Sequence, residues 1–245
     1  MDFWGITDCG KVRRENQDIF KFYCDEDRGI VALVVCDGMG GVRSGNVAST
    51  LASEVFIKHL EDYIGTATDL GDIAVIMSDA VYTANRVVYQ KSLSGDDYNG
   101  MGTTLTALVS TGSGEVVLNI GDSRAYIVTQ SAIRQVTKDH TVVEDMVTRG
   151  DLTRAEARRH PKKNLITRAV GTSEAEVPDL FFLTLAPGEH ILLCSDGLSN
   201  VVMDSEILFE IQHESSVRET CGKLVDMALS RGAPDNVTAV LYKKS

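Results

Sequence analysis

Proline is scarce in this chain, with four residues in 245, and none is gathered into a Pro/Ser-rich stretch. No linker, low-complexity segment or internal repeat is therefore legible, and one domain spanning 1–245 is expected, a size single domains reach. Cysteine is also sparse. The five residues (Cys9, Cys24, Cys36, Cys194, Cys221) are odd in number and show no CxxC spacing. Cys36 and Cys194 sit in apolar runs, as reduced buried thiols do, which points to a reducing compartment. A core of this size needs no disulfide staple.

Long hydrophobic runs are missing as well. No stretch approaches the roughly 18 apolar residues of a membrane span. The opening "MDFWGITD" has neither the basic start nor the apolar core of a secretory signal. A cytoplasmic protein without membrane association is expected. Basic residues are outnumbered, 24 against 35 acids, for a net charge of −11. That balance argues against nucleic-acid binding.

What is present begins with strands. "FWGITD", "IFKFYCD" and "GIVALVVCDG" are β-branched and aromatic runs. Two amphipathic helices follow, over Asn46–Ile64 and Asp72–Leu93, with apolar residues at three- and four-residue spacing. The middle returns to strands, "TTLTALVS", "GEVVLNIGDSRAYIVT" and "AIRQVT", with turns at "TGSG" and "TQSA". Residues Val142 to Leu165 read as short helices in a basic stretch. Strands "DLFFLTL" and "HILLCSDG", helices near Asp204–His213 and Val217–Arg231, and a last strand "NVTAVLYKK" complete the chain. Strands in hairpin-like succession favour two packed sheets flanked by helices over a doubly wound parallel sheet.

Carboxylates mark the ends of these apolar strands. Asp37 closes "IVALVVCD", Asp122 closes "VVLNIGD", Asp196 closes "HILLCSD", Asp235 precedes the last strand and Asp18 precedes "IFKFYCD". One such acid is an ordinary turn or cap residue. Five are not so easily explained, because each is costly to desolvate unless it is paired or ligates a cation. If they converge, the donor set is all oxygen, which suits Mg²⁺ or Mn²⁺ and not zinc. Such a pair of ions lowers the pKa of a bridging water and holds two oxygens of an in-line displacement, chemistry that serves phosphate esters. An arginine should then clamp the phosphate, and Arg13 is the candidate by its nearness to Asp18.

Competing chemistries lack their motifs. No cysteine starts Cys-x5-Arg, Cys36 to Arg43 being one residue too long, and neither "GxxxxGK[ST]" nor "GxSxG" occurs.

The chain resembles the metal-dependent protein phosphatases of the type 2C (PPM) class in their compact bacterial form. The resemblance rests on "TDCGKVRRENQD", "DGMGG", "MGTT", "NIGDSRAY", "VTKDHT", "HPKKNLITRAVG", "LLCSDGL" and "PDNVTAV", in order along nearly the whole chain. It implies an α+β fold, a four-layer α-β-β-α sandwich of two antiparallel sheets with the metal centre between them. It implies that Asp37 bridges two Mn²⁺ or Mg²⁺ ions, that Gly38 contributes its carbonyl, and that Asp196 and Asp235 complete the first site. Asp18 orders water or a ligand, Asp122 with Asp196 holds a third, weaker ion, and Arg13 binds phosphate. Residues 142–165 correspond to a mobile flap whose His160 and basic neighbours touch substrate.

The implied function is hydrolysis of phosphoserine and phosphothreonine by attack of the metal-bridging water, opposing bacterial Ser/Thr kinases. The implied partners are such kinases and their phosphorylated substrates, and a monomer is expected. The alternatives are a phosphatase of partner-switching (anti-anti-sigma-like) regulators and an inactive phosphatase-like binding module. Two departures stand out. Met39 replaces the histidine of "DGHGG", a proposed general acid, and Gln17 replaces the glutamate of "NED", predicting weaker binding of one ion. His140, in "VTKDHT", reads as a turn residue before a general acid.

Overall fold

In the computed structural model, residues 2–40 and 44–245 are described; Gly41 and Arg43 of the sequence reading lie outside them. The elements are β1 (Asp2–Asp8), β2 (Asp18–Asp25), β3 (Ile30–Met39), α1 (Ser44–Tyr63), α2 (Leu70–Ser92), β4 (Gly102–Thr103), β5 (Leu105–Thr111) and β6 (Gly114–Ile120). After them come β7 (Arg124–Val128), β8 (Ile133–Gln135), α3 (Val142–Arg149), α4 (Arg154–Ala157), β9 (Asp179–Leu183), β10 (His190–Cys194), α5 (Asp196–Ser199), α6 (Asp204–His213), α7 (Val217–Ser230) and β11 (Val237–Lys243).

Two antiparallel sheets face each other. One runs β1-β11-β10-β7-β8, the other β2-β3-β5-β6-β9, with β4 paired to β3. Strand periodicity sorts the side chains into layers. On β3, Ile30, Ala32, Val34 and Cys36 pack under α1 and α2. Val31, Leu33 and Val35 point the other way, into the space between the sheets, where they meet Ile191, Leu193, Val240 and Tyr242. The outer faces of β10 and β11 pack on α5, α6 and α7 through Leu192, Leu241, Leu198, Ile207 and Leu224. The result is the α-β-β-α sandwich.

Local sequence explains the helix boundaries. Asp69 caps α2 by accepting from the Asp72 amide at 2.9 Å, Ser216 caps α7 by accepting from Glu219, and Thr153 with Glu156 forms a capping box on α4. Helix α1 presents Ala48, Ser49, Ala52 and Ser53 as buried small residues, so it lies close against β3. No helix among the described residues is long and apolar enough to cross a membrane.

One strand expectation is corrected. "GEVVLNIGDSRAYIVT" is not one strand: it breaks at Gly121-Asp122-Ser123, and β6 and β7 belong to different sheets. Gly121 has φ +107°, a conformation side-chain-bearing residues avoid, and this lets the chain cross between sheets. A hydrophobic run carries no mark of such a crossing beyond the glycine itself. Two of the acids also stand differently from a strand tip. Asp37 lies within β3, whose last residues switch partner from β5 to β4, and Asp196 opens α5.

Candidate metal centre

The inward-facing rows change character at one end of the sandwich. After Val31, Leu33 and Val35 the next inward position of β3 is Asp37. Directly opposite it on β2 is Asp18, its register partner. Like charges facing each other across a strand pair are destabilising, so this pairing demands a counter-charge.

Asp37 is clamped through its backbone. Its N–H donates to Thr104 Oγ1 at 2.9 Å, and its carbonyl accepts from Thr104 N and Thr103 Oγ1, each at 2.9 Å. Those threonines belong to "MGTT". Gly38 then faces outward under α1. A Cβ there would stand 2.2 Å from the Gly45 carbonyl oxygen, so only glycine lets the first turn of α1 come this close.

The Asp122 turn is pinned from outside. The Gly121 amide donates to His140 Nδ1 at 3.0 Å, and the His140 amide donates to the Gly121 carbonyl at 2.9 Å. With Nδ1 accepting from Gly121, Nε2 lies between Arg168 Nη1 at 2.8 Å and Asp179 Oδ2 at 3.2 Å, and burial pulls the ring's pKa down. His140 is a structural residue of the turn, in line with its reading as such. Thr104 Oγ1 and Ser123 Oγ, 2.8 Å apart, join the Asp37 clamp to the same turn.

Asp196 Oδ2 accepts from Asn200 Nδ2 at 3.0 Å, and Asn200 Oδ1 in turn accepts from Lys163 Nζ at 3.1 Å. Asp235 follows the buried Ala233, whose φ of 25° marks a tight turn, and pairs with Arg13 Nη2 at 2.7 Å. Arg13 is more than half exposed.

The charge state shows that these carboxylates share one space. Asp37 is pushed well up, first by burial and then by Asp18, Asp196, Asp122 and Asp235. Burial raises Asp122 to about 8, with Asp196 adding to it. Asp196 rises to about 6 by burial and by Asp235, against the pull of Lys163, Arg124 and Arg13. Burial raises Asp18 to about 6 as well, despite two hydroxyl donors that oppose the shift. Cys36, next to Asp37, is pushed high by burial and is no nucleophile.

The residues fit divalent cations. Their donors are all oxygen, the cluster has an excess of negative charge, and Asp18 Oδ1 is buried without a hydrogen-bond partner. Among the described residues no three side chains already converge as a chelate. Mg²⁺ characteristically binds through one or two carboxylates while keeping several waters.

Several contributors escaped sequence reading. Ser195 and Thr238 hold Asp18, Thr103 and Thr104 hold Asp37, and Lys163 links residues 142–165 to Asp196 through Asn200. All lie inside recognisable motifs, but nothing in a string tells a threonine that packs from one that donates. His160 is tied into its own turn, its Nδ1 accepting from the Lys162 amide at 3.2 Å. Met39 lies over Gly102, its Cε 2.8 Å from where a Cβ would be, so it fills space where a proton donor would otherwise be sought. Gln17 acts through its carbonyl, which accepts from Gly38 N and Ser49 Oγ.

Buried and half-buried carboxylates between two antiparallel sheets, with the exposed Arg13 paired to one of them, fit a hydrolase centred on divalent cations. The chain belongs to the protein phosphatase 2C family: the family model described as "Protein phosphatase 2C" matches residues 9–239. It is 33% identical over 241 residues to the serine/threonine phosphatase Stp of Listeria monocytogenes, covering 97% of this chain and 94% of that one. Its fold superposes on the S. agalactiae serine/threonine phosphatase with a TM-score of 0.92, at 33% identity over 100% of this chain and 99% of that one. The catalytic domain of the serine/threonine protein phosphatase PstP, solved with two manganese ions, matches with a TM-score of 0.84. Its identity is 35%, over 98% of this chain and 96% of that one.

Proposed function

We infer that this chain is a metal-dependent protein serine/threonine phosphatase that hydrolyses phosphoserine and phosphothreonine in proteins, opposing Ser/Thr kinases. The observation that carries the reading is the set of acids at one end of the sandwich, Asp18 and Asp122 buried and Asp37, Asp196 and Asp235 half-buried, with Asp37 feeling the charge of the other four.

Asp37, the Gly38 carbonyl, Asp196 and Asp235 hold a pair of Mn²⁺ or Mg²⁺ ions, and Asp122 with Asp196 offers a place for a third, weaker one. Bound there, such ions lower the pKa of water and neutralise charge on the phosphoryl oxygens. The protein's own part is placement. Asp37 is central because its neighbours in the cluster include every other acid. Asp18 is an acceptor that orients water. Arg13 leaves Asp235 to grip the incoming phosphate, whose bidentate geometry suits a guanidinium. The proton for the departing serine or threonine hydroxyl does not come from Met39, a thioether, and His140 is engaged in the Asp122 turn, bonded to Gly121, Arg168 and Asp179.

The domain is read as a single unit over 1–245, with a flap at about 142–165. Lys163 of that flap is linked to the acids through Asn200 and Asp196, and His160 remains a candidate substrate contact. The net charge, the free cysteines and the absence of a long apolar helix among the described residues are consistent with a cytoplasmic monomer acting on phosphoproteins, and not on nucleic acid or membrane.

The test is Asp37→Asn. Hydrolysis of p-nitrophenyl phosphate with Mn²⁺ should fall by far more than the roughly 10–100-fold loss typical of a residue that only supports a ligand, while far-UV circular dichroism stays native. Wild-type turnover in this variant would refute the reading.

A further inference from the structure

Asp18 is the most buried acid of the cluster, at 1% exposure, and its two oxygens are treated unequally. Oδ2 accepts from Ser195 Oγ and from Thr238 Oγ1, both at 2.7 Å. Oδ1 is buried and has no partner. The hydrogens of this arrangement can be assigned one by one, because a hydroxyl has a single proton to give.

Ser195 spends its proton on Asp18 and accepts from the Thr238 amide at 3.0 Å. Thr238 also spends its proton on Asp18. In the 2.7 Å contact between Thr7 Oγ1 and Thr238 Oγ1, Thr7 must therefore be the donor. Thr7 accepts from Asn16 Nδ2 at 2.8 Å, and Asn16 Oδ1 accepts from the Asp18 amide at 3.1 Å. The circuit thus starts at Asp18 N–H, runs through Asn16, Thr7 and Thr238, and returns to Asp18 Oδ2. Every donor points the same way round.

We propose that Thr238, Thr7 and Ser195 are positioning residues for the metal centre: a directed hydroxyl circuit that presents Asp18 Oδ1 as a fixed acceptor for water in the acid-lined space. This rests on the phosphatase reading for its consequence in catalysis, but its geometry stands by itself. Thr7 and Thr238 are register partners on β1 and β11, and Ser195 follows β10, so the donors belong to one sheet while Asp18 opens a strand of the other. Both threonines stand in the rows that face the opposite sheet: Thr238 alternates with Val240 and Tyr242, which meet Val31, Leu33 and Val35. The circuit is the polar continuation of the inter-sheet core. It ties the separation of the sheets to the aim of one carboxylate oxygen.

A carboxylate that only needed burial relief would share its donors between both oxygens. Loading two donors on Oδ2 leaves Oδ1 with its full accepting capacity, and an orphaned buried acceptor is destabilising unless something in the working state meets it. A water whose other contacts are the neighbouring acids and their cations meets that need.

The experiment compares the wild type with Thr238→Val, which removes the donor and keeps the shape, Thr238→Ser, which restores it, and Thr7→Val, one step further back. Mn²⁺ binding to the metal-free protein is measured by titration calorimetry with Mn²⁺ alone. Turnover of p-nitrophenyl phosphate is resolved into kcat and KM. Supporting residues of metal sites typically cost 10–100-fold in affinity or activity. Thr238→Val should accordingly lose roughly tenfold or more in Mn²⁺ affinity or kcat with KM held within about twofold. Thr238→Ser should recover most of the loss, and Thr7→Val should show a smaller loss of the same kind.

Wild-type Mn²⁺ affinity and kcat in both valine variants overturns the proposal. So does a loss that Thr238→Ser does not repair, since that marks a packing defect. If Thr238→Val does not fold, Thr7→Val decides by the same two readouts. Should the wild type fail to turn over phosphate esters, the phosphatase reading falls while the calorimetric series still judges the circuit.

Discussion

Gly38 is in the "DGMGG" motif, and a glycine beside an aspartate proposed to bridge two cations invites an explanation from ligand access. The structure assigns its missing side chain to packing: the Gly45 carbonyl of α1 occupies the space a Cβ would take, 2.2 Å away. The obstacle is backbone, which cannot rotate aside. Gly38→Ala should therefore cost about 1–3 kcal/mol, as overpacking of a tight contact does, read as a lowered denaturation midpoint. Arg13 shows the opposite economy. It is exposed, and its pair with Asp235 contributes under about 1 kcal/mol to folding. Arg13→Ala should leave stability almost unchanged. It should raise KM roughly tenfold to a hundredfold with little change in kcat, since a hydrogen bond to a charged group is worth about 1.5–3 kcal/mol. A fall confined to kcat would remove Arg13 from phosphate binding.

At the scale of elements, the crossing from β6 to β7 is what places Asp122, and it is held by His140 from beneath. His140→Gln should leave the Gly121 amide without its buried acceptor or replace it poorly, at a cost of about 1–3 kcal/mol seen in chemical denaturation. The pH–rate profile should keep its shape, because both ring nitrogens of His140 are engaged by Gly121, Arg168 and Asp179 within the turn and not by substrate. Loss of one limb of that profile would make His140 the missing acid. The strands themselves were legible: β-branched runs and hairpin turns located β1 to β3, β5, β8 and β11 closely, and three- and four-residue periodicity located α1, α2, α6 and α7. The break at Gly121–Ser123 was not legible, because an apolar run looks the same whether it stays in one sheet or crosses to the other. Element ends were also blurred where a strand leads into a cap, as at Ser195 and Asp196.

Over the whole molecule, the acid cluster works against folding when no cation is present. Asp18 and Asp196 are raised to about 6 and Asp122 to about 8, from an ordinary 3.8. A carboxyl whose folded pKa lies above its unfolded one binds protons more tightly when folded. Its stabilisation is complete at low pH and is lost as pH rises through the folded pKa. In EDTA the thermal midpoint should thus fall as pH rises from about 4 to about 8, other groups apart. Saturating Mn²⁺ should raise it, and more at pH 8 than at pH 5, since the cations replace the protons. A midpoint that ignores both pH and Mn²⁺ would contradict the clustering of the acids. The opposite end of the sandwich carries no such conflict, because the buried Glu115 is met there by Lys244 at 2.7 Å and by Ser110.

The sequence by itself determined the chemistry. Residue identity and strand periodicity put acids in line with apolar rows, and an all-oxygen set without histidine or cysteine selects hard divalent cations. Periodicity is local, so it survives in the string. Tertiary structure alone decided which acids face each other, which oxygen of Asp18 is saturated, and that Lys163 bonds the Asn200 that donates to Asp196. Those facts depend on register and on contacts between residues as far apart as Asp18 and Thr238, and no local pattern carries them. The three-dimensional packing of two sheets is what turns a scatter of ordinary aspartates, serines and threonines into one charged, directed site.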